Sequence, residues 1–256
     1  MHMLNNPAQI SLVVKIIMVV ALTLTMTAII FTLLNRERIS QMALQLALLA
    51  TLVFFAIRGI YKNFIPFIDK TESFSTLFGT IVALVIYYRK HFSKSETIIS
   101  LLLSLLAGIT AVLFKDNLRY PSPYMLTIWF PLHVPLSFLA YSLWLLAGIK
   151  SLFIFFKKDV RQETMVVNFN RFAFACFTLG MIFGGIWGYL AWGANFLWDP
   201  KLVWSLILWF YYGTLLHLEI IPSWRRHKYA LYGVGIVLIL ITFVGTSFFT
   251  RSIHRF

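Results

Sequence analysis

Charge is what this 256-residue chain has least of. Asp, Glu, Lys and Arg make up 12% of it against 60% hydrophobic residues, and the mean hydropathy is +0.82. So little polar surface excludes a soluble globular enzyme or binding module. Acidic residues are scarcer still, 9 against 22 Lys and Arg, for a formal net charge of +13. In a soluble domain that excess would point to nucleic acid. Here the basic residues stand in short loops between apolar runs, where they orient a membrane protein among lipids, and no nucleic-acid partner is expected. Cysteine occurs once, at Cys176 within an apolar run, which excludes a disulfide framework and any thiol-disulfide exchange of the chain's own. Any redox step on thiols needs another protein.

What is present is a series of apolar runs near the ~17–25 residues that cross a bilayer. About eight can be read: Leu12 to Leu34, Met42 to Ile57, Phe74 to Tyr88, Thr97 to Leu113, Pro135 to Phe156, Phe172 to Ala191, Leu202 to Leu218 and Tyr229 to Phe249. The second and third are short and invite extension. Lipid offers no partner to an unpaired backbone group, so each run predicts a helix, and run lengths are wrong for barrel strands. The expected fold is all-α, a polytopic membrane helix bundle, with residues 1–256 forming one integral membrane domain. The first run is too long for a signal-peptide core and its basic residues follow it, which predicts a retained helix. Lys and Arg after the odd-numbered runs outnumber those after the even-numbered ones. Under the positive-inside rule, both termini then face away from the cytoplasm. Lys15 and Lys150 lie close enough to the ends of their runs to snorkel.

The most specific stretch, WGYLAWGANFLWDPKLVWSLILWFYYGTLLH, runs from Trp187 to His217. Trp187, Trp192 and Trp198 fall where one run ends and the next begins, and Trp204 and Trp209 follow inside the second. They offer a broad aromatic surface at the extracytoplasmic boundary, suited to a flat, amphipathic molecule. Asp199 and Pro200 have a structural reading of their own, as the N-cap and first residue of the seventh helix. Of six histidines, His2, His91 and His227 read as solvated. His133 begins the fifth run and His254 follows the eighth, both on the side of the tryptophan-rich loop. His217 lies roughly 27 Å along its helix from Asp199, too far to share a ligand site with that pair. A histidine at membrane depth is a functional candidate by default, with ordinary packing as the alternative. Trp209, Gly213 and His217 share a helix face on which the glycine leaves room for something planar, or simply packs. Cys176, Gly180, Gly184 and Gly188 form a small-residue stripe that reads as close helix packing without chemistry. Lys201, Arg251 and Arg255 stand near the same surface and suit carboxylates. Haem combines these requirements: a planar apolar ring, two propionates and an iron that accepts two imidazoles.

The run from Gly184 to His217 resembles the tryptophan-rich WWD signature of CcsA-type (ResC-type) cytochrome c assembly proteins. That pattern is similar to W-A-x-x-A-W-G-x-x-W-x-W-D-P-K-E-x-W followed by W and a histidine. Trp187, Ala191, Trp192, Gly193, Trp198, Asp199, Pro200, Lys201, Trp204, Trp209 and His217 match in order and spacing, which places the signature loop at about 187–204. Upstream, Pro66 with Glu72 and Ser73 resembles the family's F-P-x-x-N-x-Y-E-S segment, and His133 ahead of Tyr141 resembles its H-V-S-x-x-x-L-S-Y stretch. His254 occupies the position of the family's second external histidine. Phe196 replaces the middle tryptophan, Leu202 replaces the glutamate, and His254 sits in RSIHRF without the family's glycine-rich surroundings.

The resemblance implies a membrane subunit of a cytochrome c synthase that takes haem b to the outer face of a bacterial cytoplasmic or thylakoid membrane. There the haem would be presented to an apocytochrome c bearing a Cys-x-x-Cys-His motif. By the same analogy His133 and His254 are the external axial ligands of the haem iron. Trp187, Trp192, Trp198, Asp199 and Trp204 belong to the loop that carries the porphyrin. His217 contributes to a membrane-depth iron site shared with a CcsB-type (ResB-type) partner, and a separate protein supplies thiol reductant. Three other readings stand beside this one, among them a transporter for another planar solute. A CcmC-type haem handler is similar at His133-Val134-Pro135, and a cytochrome b-like electron-transfer subunit would keep its haem between facing histidine pairs.

Overall fold

The structure, a computed structural model, describes residues 7–114, 118, 120–157, 163–193, 198–224 and 227–246. His2, Phe196, Arg251, His254 and Arg255 lie outside the described residues. Among the described residues eight α-helices follow one another: α1 Pro7–Leu33, α2 Glu37–Lys62, α3 Lys70–Tyr87, α4 Lys94–Leu113, α5 Trp129–Lys157, α6 Glu163–Trp192, α7 Pro200–Leu218 and α8 Lys228–Leu240. A π-helical turn, Ile241–Gly245, continues α8, and the described residues contain no strand. The fold is all-α, as expected.

Over the described residues every predicted run lies on a helix, and the differences are at the ends. The short second run becomes the 26-residue α2. The fifth begins at Trp129 instead of Pro135, so Pro135 stands inside the helix and His133 a full turn in from its start. Six of these helices (α1, α2, α4, α5, α6 and α8 with its π turn) are long and apolar enough to cross a membrane. The remaining two, α3 and α7, fall outside that set. Helix α3 has Lys70 and Glu72 in its first turn, and α7 carries Trp204, Trp209, Tyr211, Tyr212 and His217 along 19 residues.

The chain forms two compact units, Met1–Leu126 and Thr127–Phe256. In the first, α1 packs on α2 and α4, and α3 on α2 and α4. On α1, Ile10, Val14, Met18, Ala21, Thr25 and Ala28 are buried at helical spacing while Leu12, Ile16, Val19 and Val20 are exposed. Apolarity is equal on both faces. Small and hydroxyl-bearing residues pick the inner one, as expected where lipid supplies no hydrophobic contrast. The α2–α3 connection is closed by a buried ion cluster. Arg58 Nη2 donates to Asp69 Oδ2 (2.5 Å) and Nε to Glu72 Oε1 (2.7 Å), while Lys62 Nζ reaches Asp69 Oδ2 (3.0 Å) and Glu72 Oε1 (2.5 Å). Asp69 also N-caps α3 in a capping box with Glu72. These four charges neutralise one another inside the protein.

The second unit repeats the connectivity: α5 packs on α6 and α8, and α7 on α6 and α8. Helix α5 is its centre, with every residue from Ala140 to Ser151 buried. Asn170 of α6 ties the unit together. Its Oδ1 accepts from Trp144 Nε1 (2.8 Å) and its Nδ2 donates to the Tyr232 hydroxyl (2.9 Å), while Trp144 stacks on Tyr212 at 3.9 Å. A buried amide is stable here because strong partners from α5 and α8 meet it. Lys228, also buried, joins Glu163 at the start of α6 to Glu219 just after α7. The snorkelling expected of Lys150 is not found: its side chain is fully buried on α5 and faces into the unit. Lys15 is half-buried on α1.

Candidate haem-handling site

One end of the α5–α6 pair brings together His133, Trp187 and Trp192 of the residues that the sequence marks as functional. The helices run antiparallel, and their contacts form successive layers. In the innermost, Ser137 Oγ lies 3.1 Å from where a Cβ on Gly180 would stand. One turn outward, His133 Nδ1 lies 2.7 Å from the Gly180 carbonyl oxygen, and the ring fills the space beside Gly184. At the end, Phe130 of α5 meets Trp187 of α6 at 5.2 Å, Trp129 meets Phe183 at 5.8 Å, and Trp187 meets Trp192 edge-on at 4.8 Å. A half-buried imidazole is therefore followed directly by an aromatic layer.

The hydrogen bond decides how the imidazole is presented. A carbonyl oxygen only accepts, so Nδ1 carries the proton and Nε2 holds the lone pair. Among the described residues Nε2 has no hydrogen-bond partner. This is the arrangement of a metal-ligating histidine, with one nitrogen anchored to a backbone acceptor and the other available. No group of three or more metal-ligating side chains gathers among the described residues. A haem iron asks only for single axial imidazoles, so the donor chemistry fits that group.

The α7 side of the site is built by its N-terminus. Asp199 is buried and caps the helix by accepting from Lys201 N (2.9 Å), with Pro200 in the first turn, so the helix-start reading of Asp-Pro holds. Trp198, immediately before the cap, is 87% exposed, whereas Trp187 is buried and Trp192 and Trp204 are half-buried. Of the signature tryptophans, Trp187 and Trp192 form the wall beside Phe130 and Trp198 projects outward. Trp129 and Phe130 join this wall although the sequence reading does not include them among the site residues. The signal that points to them is a tryptophan at a helix start just ahead of His133.

His217 lies in the last turn of α7, exposed, with Nδ1 2.8 Å from the Gly213 carbonyl of its own helix. Its Nε2 is also without a hydrogen-bond partner among the described residues. Of the two readings of the Gly213 face, packing is the one found: Phe174 Cε2 lies 3.2 Å from where a Cβ would stand, and Phe174 stacks on Trp209, whose Nε1 donates to Thr178 Oγ1. Packing fills that face. His217 is presented instead to the outside of the unit.

A family model described as "Cytochrome C assembly protein" matches residues 4–254. The chain belongs to the cytochrome c assembly protein family. Among relatives, "Cytochrome c biogenesis protein CcsA" of Guillardia theta is 22% identical over 82% of this chain and 83% of that protein. CcsA of Gloeobacter violaceus is 39% identical over 32% of this chain and 25% of that protein, so this stretch of higher similarity is local and spans a quarter of the relative. A solved structure, "Cytochrome c Heme Lyase CcmF", superposes with a TM-score of 0.76 at 15% identity, covering 95% of this chain and 47% of the other. At that identity the likeness is one of fold, and this family member spans about half of the CcmF chain.

Proposed function

We propose that this chain is a membrane subunit of cytochrome c biogenesis that carries haem b to the extracytoplasmic face and presents it to an apocytochrome c. The observation that carries this reading is His133: an imidazole anchored through Nδ1, with Nε2 available, at the aromatic end of α5 and α6. His133 and His254 would hold the haem iron on the outer side, and Trp187, Trp192, Trp198 and Trp204 would supply apolar area to the ring. Asp199 fixes the start of α7, and Lys201 offers a cation to a propionate. His217, exposed at the other end of α7, ligates iron at membrane depth together with a CcsB-type (ResB-type) partner. Haem supplies two vinyl groups, and each thiol of a Cys-x-x-Cys-His motif adds its S–H across one vinyl double bond to form a thioether. The chain's contribution is to hold the two reactants together, since alignment alone lowers such a barrier by many kcal/mol. A separate reductant keeps the substrate thiols reduced, in keeping with a chain whose one cysteine is buried.

Both termini and the tryptophan-rich loop then face away from the cytoplasm of a bacterial cytoplasmic membrane, or the equivalent side of a thylakoid. Support for this orientation comes from the loop-charge asymmetry, while the family match and the CcsA relatives support the coarser reading of a membrane protein of cytochrome c biogenesis. The deciding experiment is an absorption spectrum of the purified protein, followed by incubation with a Cys-x-x-Cys-His peptide. A bound haem whose spectrum changes in His133→Ala and which passes covalently to the peptide supports the assignment. Haem retained unchanged in His133→Ala, with no transfer, would favour the electron-transfer reading instead.

A further inference from the structure

The small-residue stripe on α6 splits into two kinds of contact. At Gly180 the neighbours are those of ordinary helix packing: Ser137 Oγ at 3.1 Å and the His133 carbonyl at 3.5 Å from an added Cβ. At Gly184 they are three atoms of one ring. A Cβ there would stand 2.6 Å from His133 Nδ1, 2.8 Å from Cε1 and 3.3 Å from Cγ. We propose that Gly184 is a positioning residue: the space left by its missing side chain seats the His133 imidazole against the Gly180 carbonyl, and so selects Nε2 as the iron-binding nitrogen. This inference rests on the reading of His133 as a haem ligand.

The physical argument follows from helix geometry. The Gly180 carbonyl stands four residues before Gly184 and accepts that residue's amide within the helix, which leaves a second lone pair facing sideways. Side chains on a helix lean toward its N-terminus, so a side chain at 184 would lie over the turn that contains this carbonyl. Glycine keeps the carbonyl open to a donor from another helix. His133 uses the opening through a 2.7 Å bond between Nδ1 and the oxygen, and its own carbonyl accepts from Ser137 Oγ at 2.9 Å. His217 achieves the same Nδ1 anchoring within its own helix, through the Gly213 carbonyl, and is exposed. For His133 the anchor is on a different helix. Nδ1–H is thereby fixed by α5–α6 packing, and an alanine at 184 must turn the ring away from the acceptor.

The test uses the full chain purified with haem, comparing wild type, His133→Ala, Gly184→Ala, the double variant Gly184→Ala/His133→Ala, and Cys176→Ala as a control two turns along the same stripe. Gly184→Ala should give the altered axial-ligand spectrum of His133→Ala and hold haem about 10- to 100-fold more weakly, the usual cost of losing a ligand's orienting hydrogen bond. Added imidazole should restore the wild-type spectrum in His133→Ala and in Gly184→Ala. Cys176→Ala should match wild type. A wild-type spectrum and retention in Gly184→Ala, with His133→Ala altered, overturns the seat and leaves the ligand reading standing. An unaltered His133→Ala overturns the reading beneath it. Should Gly184→Ala fail to fold, the double variant decides: recovered folding locates the clash at the imidazole, and continued misfolding refutes it.

Discussion

Replacing Glu72 with alanine should destabilise the first unit by about 3–5 kcal/mol, the cost of removing one member of a buried ion pair. The magnitude follows from what Glu72 holds. Its Oε1 accepts from Arg58 Nε at 2.7 Å and Lys62 Nζ at 2.5 Å, and its Oε2 from the Ile68 amide at 2.7 Å and the Asp69 amide at 3.3 Å. Arg58 and Glu72 are fully buried and Lys62 is 2% exposed, so water cannot take over. With alanine at 72, Arg58 and Lys62 lose the carboxylate they share and keep their contacts to Asp69. The double variant Arg58→Met/Glu72→Met removes one charge of each sign and leaves the Lys62–Asp69 pair (3.0 Å) intact, so it should recover most of the loss. Unfolding in mixed micelles titrated with a denaturing detergent measures both, and the haem spectrum of the surviving folded fraction should be unchanged because the candidate ligands lie in the second unit. A loss below about 1 kcal/mol for Glu72→Ala, the value of a solvated pair, would refute the burial argument. So would a double variant worse than the single.

A reporter active only in the cytoplasm, fused after Phe256, should be silent, and a strong signal would put His133 and the tryptophan-rich loop on the wrong side for the proposed chemistry. His254→Ala should insert normally yet fail to mature cytochrome c, with partial recovery on added imidazole; normal maturation would remove His254 from the ligand set. His217→Ala should lower haem content without altering the axial ligands of haem that still arrives outside. Co-expression with a CcsB-type partner should raise occupancy in wild type and much less in this variant, and equal haem in the two proteins would reduce His217 to a surface residue.

How far the site can be read from the chain differs from residue to residue. Trp187, Asp199, Pro200 and Lys201 are identifiable because they sit at a helix end, where residue type and position carry the same message: Asp caps, Pro opens the helix, and tryptophan marks the boundary. The Asp-Pro pair starts α7 at the residue the sequence indicates. The seat of His133 is not legible. Gly180 and Gly184 read as packing glycines, because a stripe of small residues announces close approach without saying what approaches. The same limit leaves two readings open at Gly213, room for a planar group or ordinary packing, and Phe174 fills the space as the packing reading has it.

The sequence by itself determined the membrane class, the all-helical fold and the positions of the helices, since hydropathy and run length follow from the energetics of lipid and each helix satisfies its own backbone. It also determined the family, through a signature in which order and spacing within one segment are enough. Only the tertiary structure decided which face of each helix turns inward, because in lipid both faces are apolar and the choice falls to small and polar residues whose partners lie on other helices. It alone paired Arg58 and Lys62 with Asp69 and Glu72, drew Lys150 into the second unit, and set His133 against Gly180 across 47 positions of sequence. Such contacts depend on distances between helices, which no local pattern encodes.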